Sequence, residues 1–163
     1  MTCDHEAVPA RRVLLLGLGN DILTDDAVGL VVVQRLRDEF AGHPSIDVQE
    51  TTEMGLALLD FITGYAAVVI VDSIQTGKAA PGTLHELDAG ALQQITGRTP
   101  HFLGVSETLA LGRKLRLAMP EQVKICAIEV GDPFTLGTEL SPVLQAALAA
   151  IVERIRTVLR QLA

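Results

Sequence analysis

The sequence predicts an α/β fold, a three-layer α/β/α sandwich around a mostly parallel, twisted sheet of about five strands. Three observations predict it. Segments with the apolar patterns of strands alternate with segments of helical periodicity. Apolar residues make up 48% of the chain and aromatic residues only 3%, so the core is aliphatic, as in sheets covered by helices on both faces. Residues 67–71 are continuously apolar, which is typical of a central parallel strand.

The individual elements follow in chain order. We predict strands at about 12–18, 46–50, 67–71, 83–87 and 122–130, of which the fourth alternates polar and apolar residues and belongs at a half-exposed edge. We predict helices at about 26–40, 55–63, 106–118 and 141–162. The first two helices carry inward apolar stripes and stop at glycine, and the last is amphipathic and follows Ser141-Pro142. A section rich in loops is expected at about 89–104.

Length and charge limit the domain organisation and the partners. The 163 residues suit a single α/β domain at 12–163, preceded by a flexible tail at 1–11. The net charge of −7 argues against nucleic acid, and from the residue pattern we expect neither a signal peptide nor a membrane span. Because Cys3 falls in the tail and Cys126 in a predicted buried strand, no disulfide is expected. We therefore expect a cytoplasmic protein with no membrane partner, and a monomer.

The chain is organised around residues 13–29, an apolar run that breaks at Gly17 and Gly19 and restarts with paired acids. In an open α/β sheet the ligand binds just past the carboxyl ends of the strands, where this loop is predicted to lie. The glycine pair invites a dinucleotide-binding interpretation, but the third glycine of that fingerprint is replaced by Ile22. A sharp turn from strand to helix explains the glycines adequately.

Three polar side chains from separate loops are candidates for one site. A helix dipole with Thr24 or Asp25 as N-cap would explain one acid of the pair, and the second, Asp26, is then free to point into the cleft. Asp72 directly ends the central strand, where a buried carboxylate is costly unless it pairs or binds a cation. With His101 from the loop section after the fourth strand, these side chains would meet at one sheet edge. Two oxygens and one nitrogen suit a borderline divalent ion and leave positions open for water or substrate.

The chain resembles a known family, the [NiFe]-hydrogenase maturation proteases. The resemblance runs in order and at matching spacing from Arg12 to about Leu159. The segments that carry it are Gly17-Leu18-Gly19-Asn20, Asp25-Asp26-Ala27-Val28-Gly29, Val71-Asp72-Ser73-Ile74, Ala80-Pro81-Gly82-Thr83, and Pro100-His101 with Leu103-Gly104.

The resemblance implies an activity and a ligand set. Members of the family remove a C-terminal extension from the precursor of the hydrogenase large subunit after nickel insertion, so that precursor is the implied partner. The family's metal-contacting and catalytic positions match Asp26, Asp72 and His101, the first of which is often glutamate in relatives. Nickel is implied to come with the substrate, and zinc or cadmium could occupy the same site. The loop at 50–55 is bulkier than the glycine-rich loop of many relatives.

The mechanism that we expect is metal-assisted peptide hydrolysis by an endopeptidase, with a carboxylate accepting the proton. A covalent route is disfavoured, because Cys126 is predicted to be buried and neither it nor Ser73 has an evident base partner in the sequence. Two alternatives stay open: a non-catalytic nickel-sensing checkpoint protein that uses the same ligands, and a nucleotide-binding α/β domain.

Overall fold

The computed structural model describes residues 11–94 and 105–163, without the side chains of 92–94. The strands are β1 (Val13–Leu18), β2 (Ile46–Thr51), β3 (Ala67–Ile74), β4 (Leu84–Asp88) and β5 (Gln122–Glu129). The α-helices are α1 (Val28–Arg37), α2 (Leu58–Ile62), α3 (Val105–Lys114) and α4 (Pro142–Leu162). Short 3₁₀ turns lie at Gly55–Ala57 and Ala89–Gln94.

The strands form one sheet in the order β2-β1-β3-β5-β4. The pairs β1–β2, β1–β3 and β3–β5 are parallel, and only β4 runs antiparallel, at the edge beside β5. The predicted α/β class and mostly parallel sheet are confirmed. The carboxyl ends of the four parallel strands therefore share one edge of the sheet, which we call the carboxyl edge.

Helices cover both faces of the sheet, as a three-layer sandwich requires. On one face Val69 and Val71 of β3 pack into a core with α1 and α4. On the other face Ile70 and Ile74 pack into a core with α2 and α3. All eight residues of β3 are buried because side chains of a strand alternate between the faces and both faces are covered. The half-exposed β4 is the edge strand that its alternating pattern predicts.

Several predicted boundaries differ from the structure. Helix α1 begins and ends inside the predicted 26–40, and the predicted second helix divides into a 3₁₀ turn and the short α2. The strand β3 continues to Ile74, so the prediction that it stops before Asp72 is wrong. Asp72 and Ser73 stay in register with Ala127 and Ile128 of β5, since backbone pairing does not depend on side-chain polarity.

The N-terminal part of α1 lies unusually close to the sheet. A Cβ atom added at Gly29, in the first turn of α1, would lie 2.3 Å from the carbonyl oxygen of Leu18 and 2.4 Å from that of Val71. These carbonyls belong to the end of β1 and to the interior of β3, where no side-chain rotation could make room. Glycine at this position lets the helix start directly against the carboxyl edge.

The interpretation of Gly17 and Gly19 as turn-forming glycines is wrong. Neither has a positive φ. Instead, a Cβ at Gly17 would lie 2.5 Å from a methyl carbon of Val33, and one at Gly19 would lie 2.4 Å from the carbonyl oxygen of Asp26. Both glycines serve close packing of the following helix and loop, a requirement that a local turn pattern does not reveal.

Of the predicted tail at 1–11, residues 1–10 lie outside the described part of the chain, and only Arg11 is described. Within the described ranges, no helix combines the length and the apolar character needed to cross a membrane.

Candidate active site

Asp26 lies in the turn between β1 and α1, at the carboxyl edge. Its side chain accepts a hydrogen bond from the hydroxyl of Ser73, with an Oγ–Oδ1 distance of 2.6 Å. Asp26 is 5% exposed and Ser73 is 2% exposed, so the contact is shielded from bulk water. A carboxylate that accepts a short hydrogen bond in such surroundings is held in one orientation.

Asp72 precedes Ser73 on β3 and is fully buried. Its Oδ1 atom accepts a hydrogen bond from the backbone N–H of Ser73 at 2.7 Å. By the alternation of the strand, Asp72 shares a face with Ile70 and Ile74, on the side of α2 and α3, whereas Ser73 faces α1 and α4. Ser73 therefore connects the two acids, through its side chain to Asp26 and through its backbone to Asp72.

The third predicted ligand, His101, lies outside the described residues. Its predicted place at the carboxyl edge depended on the fourth strand ending at that edge, and this premise is wrong. Because β4 is antiparallel, Asp88 at its end pairs with Lys124 near the start of β5, at the opposite edge. In the part of the chain that the structure describes, no group of three His, Cys, Asp or Glu side chains is placed to hold a metal ion.

Asp25 has a structural role that the sequence did not reveal. Its Oδ1 atom accepts a hydrogen bond at 2.7 Å from the backbone N–H of Ser141, the residue before α4. The prediction that Thr24 or Asp25 caps α1 is wrong, since Ala27 occupies that position and no side chain caps the helix. Asp25 instead ties the loop after β1 to the start of α4, which leaves Asp26 as the acid of the pair that contacts β3.

Ser73 has an acidic partner that the sequence analysis missed, because the two residues are 47 positions apart. This contact does not make Ser73 an activated nucleophile. A carboxylate is a weak base, and the serine hydrolases rely on an imidazole to take the hydroxyl proton. The hydroxyl is better suited to orienting Asp26.

Another buried acid, Glu129 at the end of β5, holds the loop after β3. Its carboxylate accepts hydrogen bonds from the backbone N–H groups of Thr76 at 2.8 Å and Gly77 at 3.0 Å, and it contacts His85 Nε2 at 3.0 Å. Burial acts to raise the pKa of Glu129, but the hydrogen bonds from Thr76, His85 and Gly77 outweigh it, and the pKa is lowered. The sequence pattern that singled out Asp72, an acid at the end of an apolar run, could also have identified Glu129.

Glu129→Gln is expected to lower the free energy of unfolding by about 2 kcal/mol near neutral pH, because charge-assisted hydrogen bonds to the buried group are lost. A carboxyl group whose pKa is lowered by folding stabilises the protein at pH values above its ordinary pKa of 4.5. That stability is lost as the pH falls through the lowered pKa. Urea unfolding of both proteins from about pH 7 to about pH 4 should show the difference shrinking. A difference that stays constant over this range would contradict the assignment.

Cys126 is not available for covalent catalysis. It is 1% exposed on β5, and burial, with a smaller contribution from Glu86, raises the pKa of its thiol to about 12. The thiolate, which is the nucleophilic form, is therefore scarce at neutral pH. The prediction from sequence that Cys126 lies buried in a strand agrees with its position.

In a Cys3→Ser background, native protein at about pH 8 should take up no iodoacetamide, because the only remaining thiol is buried and protonated. The same protein unfolded in urea should take up one equivalent, as intact-mass measurement would show. Complete labelling in the native state would restore Cys126 as a candidate nucleophile.

Gly17 and Gly19, at the end of β1 and just after it, do not form a phosphate-binding loop. In dinucleotide-binding folds the second glycine leaves room for a pyrophosphate. Here the space beside Gly19 is taken by the backbone of Asp26, and the acids Asp25 and Asp26 are buried at this point. The arrangement disfavours a nucleotide and suits the binding of a cation.

Comparisons with known proteins point to a single family. A family model described as HycI, hydrogenase maturation protease, matches residues 30–158. The chain is similar to the hydrogenase 2 maturation protease of Escherichia coli (strain K12), with 30% identity over 153 residues that cover 87% of this chain and 92% of the relative. It is also similar to the hydrogenase expression/formation protein HupD of Rhizobium leguminosarum bv. viciae, with 24% identity over 93% of this chain and 76% of the relative.

Two solved structures resemble the fold. The hydrogenase maturating endopeptidase HybD from E. coli superposes with a TM-score of 0.76 at 25% identity, covering 92% of this chain and 93% of that one. The [NiFe] hydrogenase maturation protease HybD from Thermococcus kodakarensis superposes with a TM-score of 0.68 at 27% identity, covering 90% and 98%.

Proposed function

Because the chain belongs to the hydrogenase maturation protease family, we propose that it removes the C-terminal extension from the precursor of a [NiFe]-hydrogenase large subunit after nickel insertion, by metal-dependent peptide hydrolysis. Its endopeptidase role in hydrogenase maturation follows from the family. The timing of the cut, the metal and the residues involved are the proposal.

The observation that carries the proposal is the pair of buried carboxylates joined through Ser73 at the carboxyl edge. Both carboxylates are buried and contact Ser73, and carboxylate oxygens are ligands that fit a divalent ion. Asp26, Asp72 and His101 would hold the ion, which we take to be the nickel carried by the precursor; zinc or cadmium would suit the same donors. When bound there, a divalent ion supplies polarisation of the scissile carbonyl and activation of water.

The position of α3 supports the inclusion of His101. Val105, the first residue of this helix, packs in the same core as Ile70 and Ile74, which flank Asp72 on that face of the sheet. The helix also contacts the 3₁₀ turn that follows β2 at the carboxyl edge. Since His101 is only four positions before Val105, a short reach would bring an imidazole ligand to Asp72.

The protein side chains then have distinct tasks. Ser73 holds Asp26 through its hydroxyl and Asp72 through its backbone N–H, so both carboxylates are oriented before substrate binds. In the proposed mechanism one of them would accept the proton of the attacking water. The low exposure of both acids shields them from bulk water, which strengthens the electrostatic contacts that they make.

The test is incubation of the protein with nickel-loaded precursor, followed by intact-mass measurement of the large subunit. We expect the precursor to lose the mass of its extension, and nickel-free precursor to stay intact. If the protein binds nickel-loaded precursor but leaves its mass unchanged, the result would favour a nickel-sensing checkpoint protein over a protease. Calorimetric titration with NAD and ATP provides the remaining control, because tight nucleotide binding would favour the nucleotide-binding alternative.

A further inference from the structure

Large apolar side chains are exposed mainly around the candidate site. Among the described residues, five of the eight that are exposed lie in loops at the carboxyl edge. They are Ile22, Met54, Leu56, Phe134 and Leu136. Soluble proteins expose single apolar residues routinely, but a group that gathers at one edge of the fold marks an interaction surface.

Three of these side chains project from two loops that are bound to each other. The loop after β1 and the loop after β5 are joined by backbone hydrogen bonds from Thr24 to Thr135 at 2.9 Å and from Gly137 to Ile22 at 3.0 Å. Leu23 and Leu136 form an antiparallel bridge. We call residues 20–24 and 132–137 the paired loops.

The paired loops are closely packed. A Cβ atom at Gly137 would lie 2.6 Å from a methyl carbon of Thr24. At the start of the second loop, Asp132 Oδ1 accepts the backbone N–H of Phe134 at 2.8 Å. The apolar side chains are therefore displayed on a fixed backbone, which lowers the entropic cost of binding a partner.

Phe134 is the most informative member of the group. The chain has only four phenylalanines, one tyrosine and no tryptophan, yet Phe134 is 64% exposed. Ile22 and Leu136 beside it are 60% and 74% exposed. An aromatic residue among exposed aliphatic ones is the composition of an interface centre, where a few side chains provide most of the binding energy.

The charges on this surface are all negative. The segments 20–27 and 131–139 contain no Lys, Arg or His, whereas Asp21, Asp132 and Glu139 are exposed. The hydroxyl of Thr135 and the backbone N–H of Phe134 lower the pKa of Asp132, so this carboxylate is ionised at neutral pH. The complementary partner presents an apolar face with basic side chains around it.

The surface is continuous with the candidate site. Ile22 is only four positions before Asp26 in the same loop, and Asp25 ties that loop to the start of α4. A macromolecule seated on the paired loops would lie beside the carboxylates and could place an extended segment over them.

We propose that the paired loops are the docking surface for the folded body of the precursor, which contacts Ile22, Phe134 and Leu136 with an apolar, basic face while its C-terminal segment enters the site. This inference rests on the function proposed above. Binding of the precursor's folded body and cleavage of its peptide bond then depend on different residues of this chain.

The test compares Phe134→Ser and Leu136→Ser with Leu115→Ser, an equally simple change at a residue that is 58% exposed on the turn after α3, away from the carboxyl edge. Cleavage of nickel-loaded precursor gives KM and kcat, and calorimetry in an Asp72→Asn background gives Kd. We expect each loop variant to raise KM and Kd about ten-fold or more and to leave kcat unchanged. Leu115→Ser should change neither KM nor Kd. Because all three side chains are exposed, circular dichroism should show native folding.

The outcomes separate this inference from the proposed function. Unchanged KM and Kd in both loop variants, with wild-type protein still cleaving, would overturn the docking surface alone. Wild-type protein that neither binds nor cleaves the precursor would overturn both. A dimer of the free chain in sedimentation that Phe134→Ser dissociates would assign the surface to a second copy instead.

Discussion

Asp72→Asn should abolish cleavage of the nickel-loaded precursor, reducing the rate by about 100-fold or more, while the protein stays folded. Asparagine keeps the shape of the side chain, and its carbonyl oxygen can still accept the hydrogen bond from the backbone N–H of Ser73. What it removes is the negative charge that suits a divalent ion and that could accept a proton. Intact-mass measurement over time gives the rate, and the thermal unfolding midpoint reports the fold.

The matched control is Asp88→Asn, the same chemical change on β4. Asp88 is exposed, and its ion pair in the described part of the chain is with Lys124 on the surface, where such a pair contributes little to stability. We expect this variant to cleave at the wild-type rate. Full activity of Asp72→Asn would remove Asp72 from the mechanism, and loss of activity in both variants would show that the assay reports something other than the candidate site.

Gly29→Ala should destabilise the protein by about 3 kcal/mol or more, although alanine is the better helix former. Helix propensity alone would favour alanine by up to about 1 kcal/mol. The new methyl group, however, would lie 2.3 Å and 2.4 Å from the carbonyl oxygens of Leu18 and Val71, and backbone atoms of two buried strands cannot rotate away. The sign of the change in the free energy of unfolding therefore decides between propensity and packing.

Gly90→Ala is the control for this prediction, because an added Cβ atom there meets nothing within 4 Å. Its expected effect is within about 0.5 kcal/mol in urea unfolding. Since α1 must move outwards to accommodate the methyl group at Gly29, and the turn with Asp26 precedes it, cleavage should fall as well. A Gly29→Ala protein as stable as wild type would contradict the close approach of α1 to the sheet.

Most of the fold could be predicted because local patterns encode it. The unbroken apolar run of β3 reports burial on both faces, and the alternation in β4 reports an edge. The extent of β3 was underestimated because Asp72 and Ser73 read as a strand end, whereas pairing with β5 continues through both. The direction of β4 could not be predicted either, since an edge strand shows the same alternation of polar and apolar residues whether it runs parallel or antiparallel to its neighbour.

For the candidate site, the sequence singled out Asp26 and Asp72 by their positions after or within apolar strands, and the structure shows that both are hydrogen-bonded to Ser73. It could not show how they are connected. Ser73 reaches Asp26 across 47 positions, and Asp25 reaches Ser141 across 116, so neither contact leaves a local signature. The predicted role of His101 stays a prediction.

By itself the sequence determined the elements, the aliphatic core, the α/β class and the family resemblance, because each depends on residue type and spacing along the chain. Only the tertiary structure decided the tasks of individual residues: Asp25 anchors the start of α4, Ser73 orients Asp26, and Gly17 makes room for α1. The exposed surface of the paired loops was likewise decided in three dimensions. These features arise from contacts between segments far apart in the chain, and such contacts form only once the sheet has brought those segments together.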